Sequence, residues 1–260
     1  MTQASAHNAT VIDQHNRQAG EYARLTASLA SDRPTSFREL MAPAPGDRVL
    51  DIACGPGLLS TGLAPHVAEV VGLDLTPGML SEAGKRQASL GIENIIWVEG
   101  DAAALPFADA SFTLIVCSAA FHHFERPAQV MKEMARVCRA GGRIAVTDVT
   151  QTPEKAAAYD RIELMRDPSH RHAHSVEEFL ELGRGAGLGE AIVRPGQSGE
   201  IPFDAVLATS HPRDHSKDEI RALLEEDARS GKNKLGFQAH FTDGRLMAAY
   251  STSAFRWDRP

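Results

Sequence analysis

Two glycines, Gly55 and Gly57, stand where an apolar segment is followed directly by a helix-forming one. Residues 48–53 have the pattern of a buried strand, and a helix is predicted over residues 57–65. A glycine turn at this place leaves backbone N–H groups at the carboxyl end of the strand, and the missing Cβ lets a ligand approach them closely. The pattern predicts a site that holds a polar cofactor against the backbone.

Two carboxylates follow the next predicted strands. Asp74 ends a strand at residues 68–74, and Asp101 follows a strand at residues 95–99. The carboxyl ends of parallel strands meet at one edge of a sheet, so we expect both acids beside the glycine turn. The first acid can accept hydrogen bonds from two adjacent ribose hydroxyls, and the second could recognise an adenine amino group.

The spacing of the glycines disfavours a dinucleotide. The nicotinamide and flavin fingerprint has a third glycine three residues after the second, where this chain has Ser60, and Pro56 separates the first two. Asp74 would serve the ribose of either kind of cofactor, so a nicotinamide-dependent oxidoreductase stays as an alternative.

Taken in order, the motifs resemble the class I S-adenosylmethionine-dependent methyltransferases, in the branch that contains the ubiquinone/menaquinone C-methyltransferases. The resemblance covers roughly residues 35–150. It rests on five segments, namely 51–57, 72–80, 100–107, 111–116 and 136–144. The family usually has glycine at the position of Ala53.

The resemblance implies S-adenosyl-L-methionine as the cofactor and S-adenosyl-L-homocysteine as the product. Gly55 and Gly57 would then line the methionine moiety, Asp74 would hold the ribose and Asp101 the adenine. The N-terminal helices of the family fold over the cofactor. The cofactor-binding residues predicted in this way are Asp51, Ala53, Gly55, Gly57, Asp74, Leu75, Met79, Asp101, Ala102, Ser118 and Tyr22.

The alternation of strands and helices predicts an α/β fold. We expect a Rossmann-like, seven-stranded, mostly parallel sheet with helices on both faces. Residues 1–34 would form lid helices, residues 35–150 the cofactor-binding core, and residues 151–260 a helical cap inserted after strand five together with strands that complete the same domain.

Three local patterns refine this prediction. A helix is predicted at residues 12–31, with Tyr22, Leu25 and Leu29 on one face. Ser175 and Glu178 have capping-box spacing at the start of another helix. Residues 236–241 and 246–255 are predicted to form a hairpin around Asp243-Gly244, and Leu246–Phe255 would be the antiparallel seventh strand.

Composition limits the function classes. The 260 residues carry a net charge of −7, which argues against a nucleic-acid partner held by basic patches. No apolar run reaches the ~20 residues that span a bilayer, and no secretory signal is visible. The three cysteines have the pattern of buried thiols in a reducing compartment. We expect a cytoplasmic monomer or homodimer without a membrane partner.

Histidines supply the candidate catalytic groups. Methyl transfer mainly needs alignment of the nucleophile behind the methyl carbon, with a base where the nucleophile carries a proton. His122 and His123 follow strand four, at the edge where an acceptor must arrive. His123 is the better candidate of the pair, and the alternative is a structural hydrogen bond.

His170, His172 and His174 alternate in the predicted cap, with Asp167 close by. Extended backbone would place the three imidazoles on one side, where they could contact substrate, bind a metal or stay in solvent. We take His170 as a candidate contact to the substrate and assign no metal.

The cap after strand five predicts an enclosed pocket, so the favoured function is methyl transfer to a small-molecule acceptor. A non-catalytic cofactor-binding module of the same fold is the second alternative.

Overall fold

The computed structural model describes residues 5–28 and 35–260. Its strands are β1 (Arg48–Ile52), β2 (Glu69–Asp74), β3 (Ile95–Glu99), β4 (Phe112–Ser118), β5 (Cys138–Val149), β6 (Ile192–Gln197), β7 (Ile201–Pro202), β8 (His240–Thr242), β9 (Arg245–Ala248) and β10 (Ser251–Asp258). Its helices are α1 (Ala6–Ser28), α2 (Thr35–Met41), α3 (Leu58–Leu63), α4 (Pro77–Leu90), α5 (Pro127–Val137), α6 (Pro153–Arg166), α7 (Val176–Gly185), α8 (Phe203–Ala208) and α9 (Lys217–Ser230).

Seven strands form the main sheet in the order β3-β2-β1-β4-β5-β10-β6. The pairs from β3 to β5 are parallel, and β10 runs antiparallel to both β5 and β6. The order reverses between β1 and β4, so a crevice opens there at the carboxyl ends of the strands. The predicted seven-stranded, mostly parallel, Rossmann-like fold is confirmed.

The central strands are apolar on both faces. In β1, Val49, Leu50 and Ile52 are fully buried, and residues 114–117 of β4 are buried in the same way. Strands of a parallel sheet have helices on both faces, so their sequences are continuous apolar runs without alternation. The two strands next to the switch point therefore form a rigid base for the turns that follow them.

The residues at the ends of two helices explain where these helices begin and end. α4 starts at Pro77, whose missing N–H costs nothing in the first turn, and ends at Gly91 with φ of 62°. Ser175 accepts a hydrogen bond from the Glu178 N–H, and the Glu178 side chain accepts one from the Ser175 N–H. The predicted capping box is confirmed.

The prediction of one strand at Leu246–Phe255 is wrong. β9 pairs with β7 and β8 in a small second sheet, whereas β10 is the antiparallel strand of the main sheet. The break falls at Ala249, whose N–H donates to the Phe237 carbonyl at 2.9 Å. The Asp243-Gly244 turn is confirmed, with φ of 49° and 74°. Of the predicted first hairpin arm, residues 236–241, only residues 240 and 241 belong to a strand.

The N-terminal helix begins earlier than predicted, at Ala6 instead of residue 12. Its predicted end at residue 31, the position of Leu29, and residues 1–4 and 29–34 of the predicted lid lie outside the described residues. The three cysteines are free and buried, as predicted. Among the described residues, no helix has the length and apolarity needed to cross a membrane.

Candidate functional site

The turn after β1 uses left-handed backbone at three positions. Ala53, Gly55 and Gly57 have φ of 52°, 53° and 76°. The Gly55 N–H donates to Oδ2 of Asp74 at 2.8 Å, and the Thr76 N–H donates to Oδ1 at 2.8 Å. Burial raises the pKa of Asp74, and these two N–H groups limit the rise. Asp74 therefore ties the glycine turn to the end of β2.

Gly57 and Ser60 have packing roles in this turn. A Cβ at Gly57 would lie 2.7 Å from the Trp97 ring and 3.0 Å from Cβ of Ala83, so the residue is confined by helix–sheet packing. Ser60 is fully buried and its hydroxyl donates to Asp51 at 2.6 Å. Ser60 occupies the position of the third glycine of a dinucleotide-binding fold, and in this chain it forms a buried hydrogen bond.

A cavity of about 240 Å³ lies at the carboxyl ends of β1, β2 and β4. Ten of the eleven predicted cofactor-binding residues line it, and Gly57 does not. The ten are Asp51, Ala53, Gly55, Asp74, Leu75, Met79, Asp101, Ala102, Ser118 and Tyr22. A Cβ at Gly55 would meet no atom within 4 Å, so open space faces the backbone at this turn.

Helix α1 forms one wall of the cavity. The Asn8 side chain donates to Oδ2 of Asp101 at 3.0 Å, and the Ala103 N–H donates to Oδ1 at 2.8 Å. Near the middle of α1, Oδ1 of Asn16 accepts a hydrogen bond of 2.9 Å from the Gly78 N–H. The helix is thus fastened to the ends of both β3 and α4.

His122 is held by a buried carboxylate at the end of β5. Its Nδ1 lies 2.6 Å from Oδ1 of Asp148, which is 2 % exposed. Burial lowers the pKa of His122, but the charge of Asp148 and the hydrogen bond outweigh it, so the pKa is raised. The same pairing lowers the pKa of Asp148 against the effect of its burial. The pairing favours the charged imidazole, and it fixes the turn that follows β4.

The pKa of His123 is shifted in the opposite direction. Its Nδ1 lies 3.0 Å from the Ser169 carbonyl oxygen, so Nδ1 carries the hydrogen in the neutral ring and Nε2 has the lone pair. Burial and the neighbouring charge of His122 lower its pKa well below the usual range. His123 is therefore a neutral imidazole in the cavity wall, with its lone pair on Nε2.

The structure adds His15, which the sequence did not single out, and it moves Asp167 from the predicted histidine cluster to the cavity. His15 of α1 and Asp167 after α6 line the cavity beside His123. The His15 and His123 rings meet edge to face with their centroids 5.0 Å apart. His15 precedes Tyr22 by seven residues, which is two helical turns, so the two side chains share a helix face. That spacing could have identified His15 from the sequence.

The histidine-rich segment after α6 packs against His122, with the His170 and His122 ring centroids 5.7 Å apart. His170 is buried, with Nε2 2.7 Å from Asp160, and it does not line the cavity. His172 bonds to the same carboxylate through Nδ1 at 2.8 Å and lies 3.1 Å from Glu178 through Nε2. The hydrogen bond to Asp160 raises the pKa of His172 to about 9. The carboxylate partner of these histidines is Asp160, whereas Asp167 faces His15 and His123.

The strand order and the acid-lined crevice at the switch point define the fold of class I methyltransferases. A crystal structure of the YcgJ protein from Bacillus subtilis superposes with a TM-score of 0.77, covering 86% of this chain and 97% of that one at 23% identity. Geranyl diphosphate C-methyltransferase from Streptomyces coelicolor A3(2), solved with Mg²⁺, geranyl diphosphate and S-adenosyl-L-homocysteine, has a TM-score of 0.61 and 16% identity, covering 91% of this chain and 80% of that one.

Residues 50–146 match the family model described as Methyltransferase domain. The chain is 35% identical over 137 residues to the uncharacterized methyltransferase YcgJ of Bacillus subtilis, covering 52% of this chain and 54% of that protein. It is 38% identical over 130 residues to the ubiquinone/menaquinone biosynthesis C-methyltransferase of Roseobacter denitrificans, covering 48% and 52%. The chain spans about half the length of these curated relatives. Residues 50–146 are therefore similar to this methyltransferase domain, and the chain has the class I methyltransferase fold.

Proposed function

We propose that the protein transfers a methyl group from S-adenosyl-L-methionine to a small-molecule acceptor. The observation that carries this proposal is the cavity at the carboxyl ends of β1 and β2, where the Gly55 turn, Asp74 and Asp101 line one continuous wall. The fold and the methyltransferase domain support it. The residues fit such a cofactor, since open space faces Gly55 and two carboxylates stand at the ribose and adenine ends.

The cofactor supplies, when bound, a methyl group on a sulfonium, and displacement at that carbon proceeds in line with the departing sulfur. In our proposal Gly55, Ala53 and Asp51 surround the methionine end, Asp74 accepts from the ribose hydroxyls, and Asp101 with Ala102 contacts the adenine. Leu75, Met79, Ser118 and Tyr22 complete the enclosure. Exclusion of water and alignment of the nucleophile are then the main contributions of the protein.

We assign the acceptor side of the cavity to the two histidines after β4. His123 presents a neutral Nε2 that can take a proton from the nucleophile as the new bond forms. His122, charged and bound to Asp148, positions this turn and lowers the pKa of its neighbour. His170 lies outside the cavity lining, so the predicted contact of His170 with the acceptor is not part of this proposal.

A small acceptor suits the enclosure. α1 closes one side of the cavity, and Arg166 at the end of α6 and Thr209, which follows α8, line another. A volume of about 240 Å³ between these elements favours a small molecule over a duplex or a protein segment.

Calorimetric titration with S-adenosyl-L-methionine and S-adenosyl-L-homocysteine, with NADH as a control, tests the cofactor assignment. We expect micromolar binding of the first two and none of NADH, followed by transfer of labelled methyl to a component of a metabolite extract. Binding of NADH alone would support the oxidoreductase alternative. Binding of the sulfur ligands without transfer to any acceptor would support a non-catalytic module.

A further inference from the structure

Three possible ligands from three separate elements meet at one wall of the cavity. His15 belongs to α1, His123 to the 3₁₀ turn Phe121–His123, and Asp167 to the segment after α6. One ligand atom of each lies within 4.8 Å of those of the other two, and across residues 5–28 and 35–260 this is the single such group of three or more His, Cys, Asp or Glu. All three line the cavity, so a ligand of this cluster would be reached from it.

Both imidazoles are held through Nδ1. The Nδ1 atom of His15 lies 2.9 Å from the Val11 carbonyl oxygen, and that of His123 lies 3.0 Å from the Ser169 carbonyl oxygen. A carbonyl oxygen only accepts, so each neutral ring carries its hydrogen on Nδ1 and its lone pair on Nε2. Histidines that bind metals have this arrangement, in which the second nitrogen donates to a carbonyl or carboxylate and fixes the ring.

Asp167 is a buried carboxylate that forms no salt bridge among the described residues. It is 2 % exposed, and the charge of the neighbouring Arg166 favours its ionised form against the effect of burial. Its Oδ1 accepts hydrogen bonds from N–H and Oγ of Ser169 at 2.9 and 2.5 Å. The neighbouring Arg166 is bound to Glu163 at 2.5 Å. Buried carboxylates are stabilised by a cation or by metal coordination, which leaves Asp167 available to a bound ion.

We propose that His15, His123 and Asp167 bind one divalent transition-metal ion. Two imidazole nitrogens with one carboxylate oxygen suit zinc, iron(II) or manganese(II), and they leave coordination positions open to the cavity. Ser169 orients two of the three ligands, since it accepts from His123 and donates to Asp167. This site goes beyond methyl transfer, and it shares His123 with the base that we propose there.

A bound ion would change the roles of helix α1 and of His123. It would bridge α1 to the core, because His15 is the one ligand on that helix. It would also use the Nε2 lone pair of His123, which can accept a proton or bind a metal but not both. With the ion bound, His123 is a ligand and not the base.

The test is metal binding by the full chain without cofactor. Protein stripped with a chelator is titrated calorimetrically with Zn²⁺, with Co²⁺ for the visible absorption of its coordination sphere, and separately with Mg²⁺. We expect one Zn²⁺ or Co²⁺ per chain and much weaker binding of Mg²⁺, which prefers oxygen ligands. His15→Ala and Asp167→Asn are each expected to weaken Zn²⁺ by on the order of 100-fold or more, because even second-shell losses cost roughly 10–100-fold.

His172→Ala is the matched control, since it removes an imidazole from the neighbouring histidine-rich segment and should leave Zn²⁺ affinity unchanged. Absence of Zn²⁺ and Co²⁺ binding, equal affinity in wild type and both ligand variants, or loss of binding in His172→Ala would each overturn the site. Binding of Mg²⁺ as tight as that of Zn²⁺ would overturn the assignment to a transition metal. His15 lies on the surface helix α1, so His15→Ala keeps the test readable if Asp167→Asn fails to fold. None of these readouts depends on S-adenosyl-L-methionine.

Discussion

The Asp148 carboxylate accepts at both oxygens from the same short turn. Oδ1 lies 2.6 Å from Nδ1 of His122, and Oδ2 accepts from the N–H groups of Ala120 and Phe121 at 2.9 and 2.7 Å. One buried side chain at the end of β5 thus fixes the backbone after β4 and the charge of the histidine that follows. The cavity wall formed by His122 and His123 depends on this carboxylate.

Asp148→Asn should remove the negative charge of this side chain while keeping its shape. The amide oxygen can still accept from backbone N–H groups, but the negative charge that raises the pKa of His122 is lost. We expect the pKa of His122 to fall, because burial then dominates, and the free energy of unfolding to decrease by about 1.5–3 kcal/mol. Histidine NMR titration and urea unfolding measure the two effects. Asp109→Asn, at an exposed carboxylate, is the control, and an unchanged His122 titration in Asp148→Asn would contradict the assignment.

Asp74→Ala should weaken binding of S-adenosyl-L-methionine by about 1.5–3 kcal/mol, or roughly 10- to 150-fold. The substitution removes the proposed ribose acceptor and also the acceptor that holds the Gly55 N–H. Calorimetry measures the affinity. Glu99→Ala is the matched control, because Glu99 pairs with Asp74 in the register of β2 and β3 but does not line the cavity. Equal affinities in the two variants would refute the role of Asp74.

Ala53→Gly should stabilise the protein by roughly 0.5–1 kcal/mol. Left-handed backbone costs an L-residue about 1–2 kcal/mol, and the extra freedom of glycine in the unfolded chain offsets about 0.5–1 kcal/mol of the gain. Urea unfolding measures the change. Ala64→Gly, at a position with φ of −48°, should instead lose stability. A destabilised Ala53→Gly would show that the strain at φ of 52° is small.

The stability of the protein should fall above neutral pH through His172. Its folded pKa of about 9 lies above its ordinary value of 6.5, because Asp160 and Glu178 favour the charged ring. The contribution is fully present below pH 6.5 and is lost as the pH rises through about 9. Urea unfolding of wild type and His172→Gln across this range should show a difference that is constant at low pH and shrinks above it. A difference independent of pH would be evidence against the ion pair.

Much of the cofactor wall could be predicted from sequence because its signals are local. The Gly55 turn and Asp74 each lie at the end of a strand with a continuous apolar pattern, and parallel pairing brings such ends together. Gly57 was predicted to line the same wall, but its position depends on Trp97, which comes forty residues later in the chain. Contacts of that kind leave no local pattern.

The positions of the histidines were also only partly predictable from the sequence. Alternation placed His170 and His172 together correctly, since both bind Asp160, but could not say which carboxylate they face. The meeting of His15 with His123 requires the path of α1 across the sheet edge, which depends on packing between distant segments. The division of Leu246–Phe255 into two strands likewise depends on Phe237, whose carbonyl receives the Ala249 N–H.

The attachment of α1 has a kinetic consequence. The helix packs on α4 and is also joined to the core through hydrogen bonds of His7 to the His123 carbonyl, Asn8 to Asp101 and the Gly78 N–H to Asn16. Each hydrogen bond contributes about 0.5–1.5 kcal/mol, so these bonds alone oppose release of the helix by a few kcal/mol. We predict that ligand entry requires this release, so the observed association rate should level off at the opening rate of α1 instead of rising indefinitely with ligand concentration.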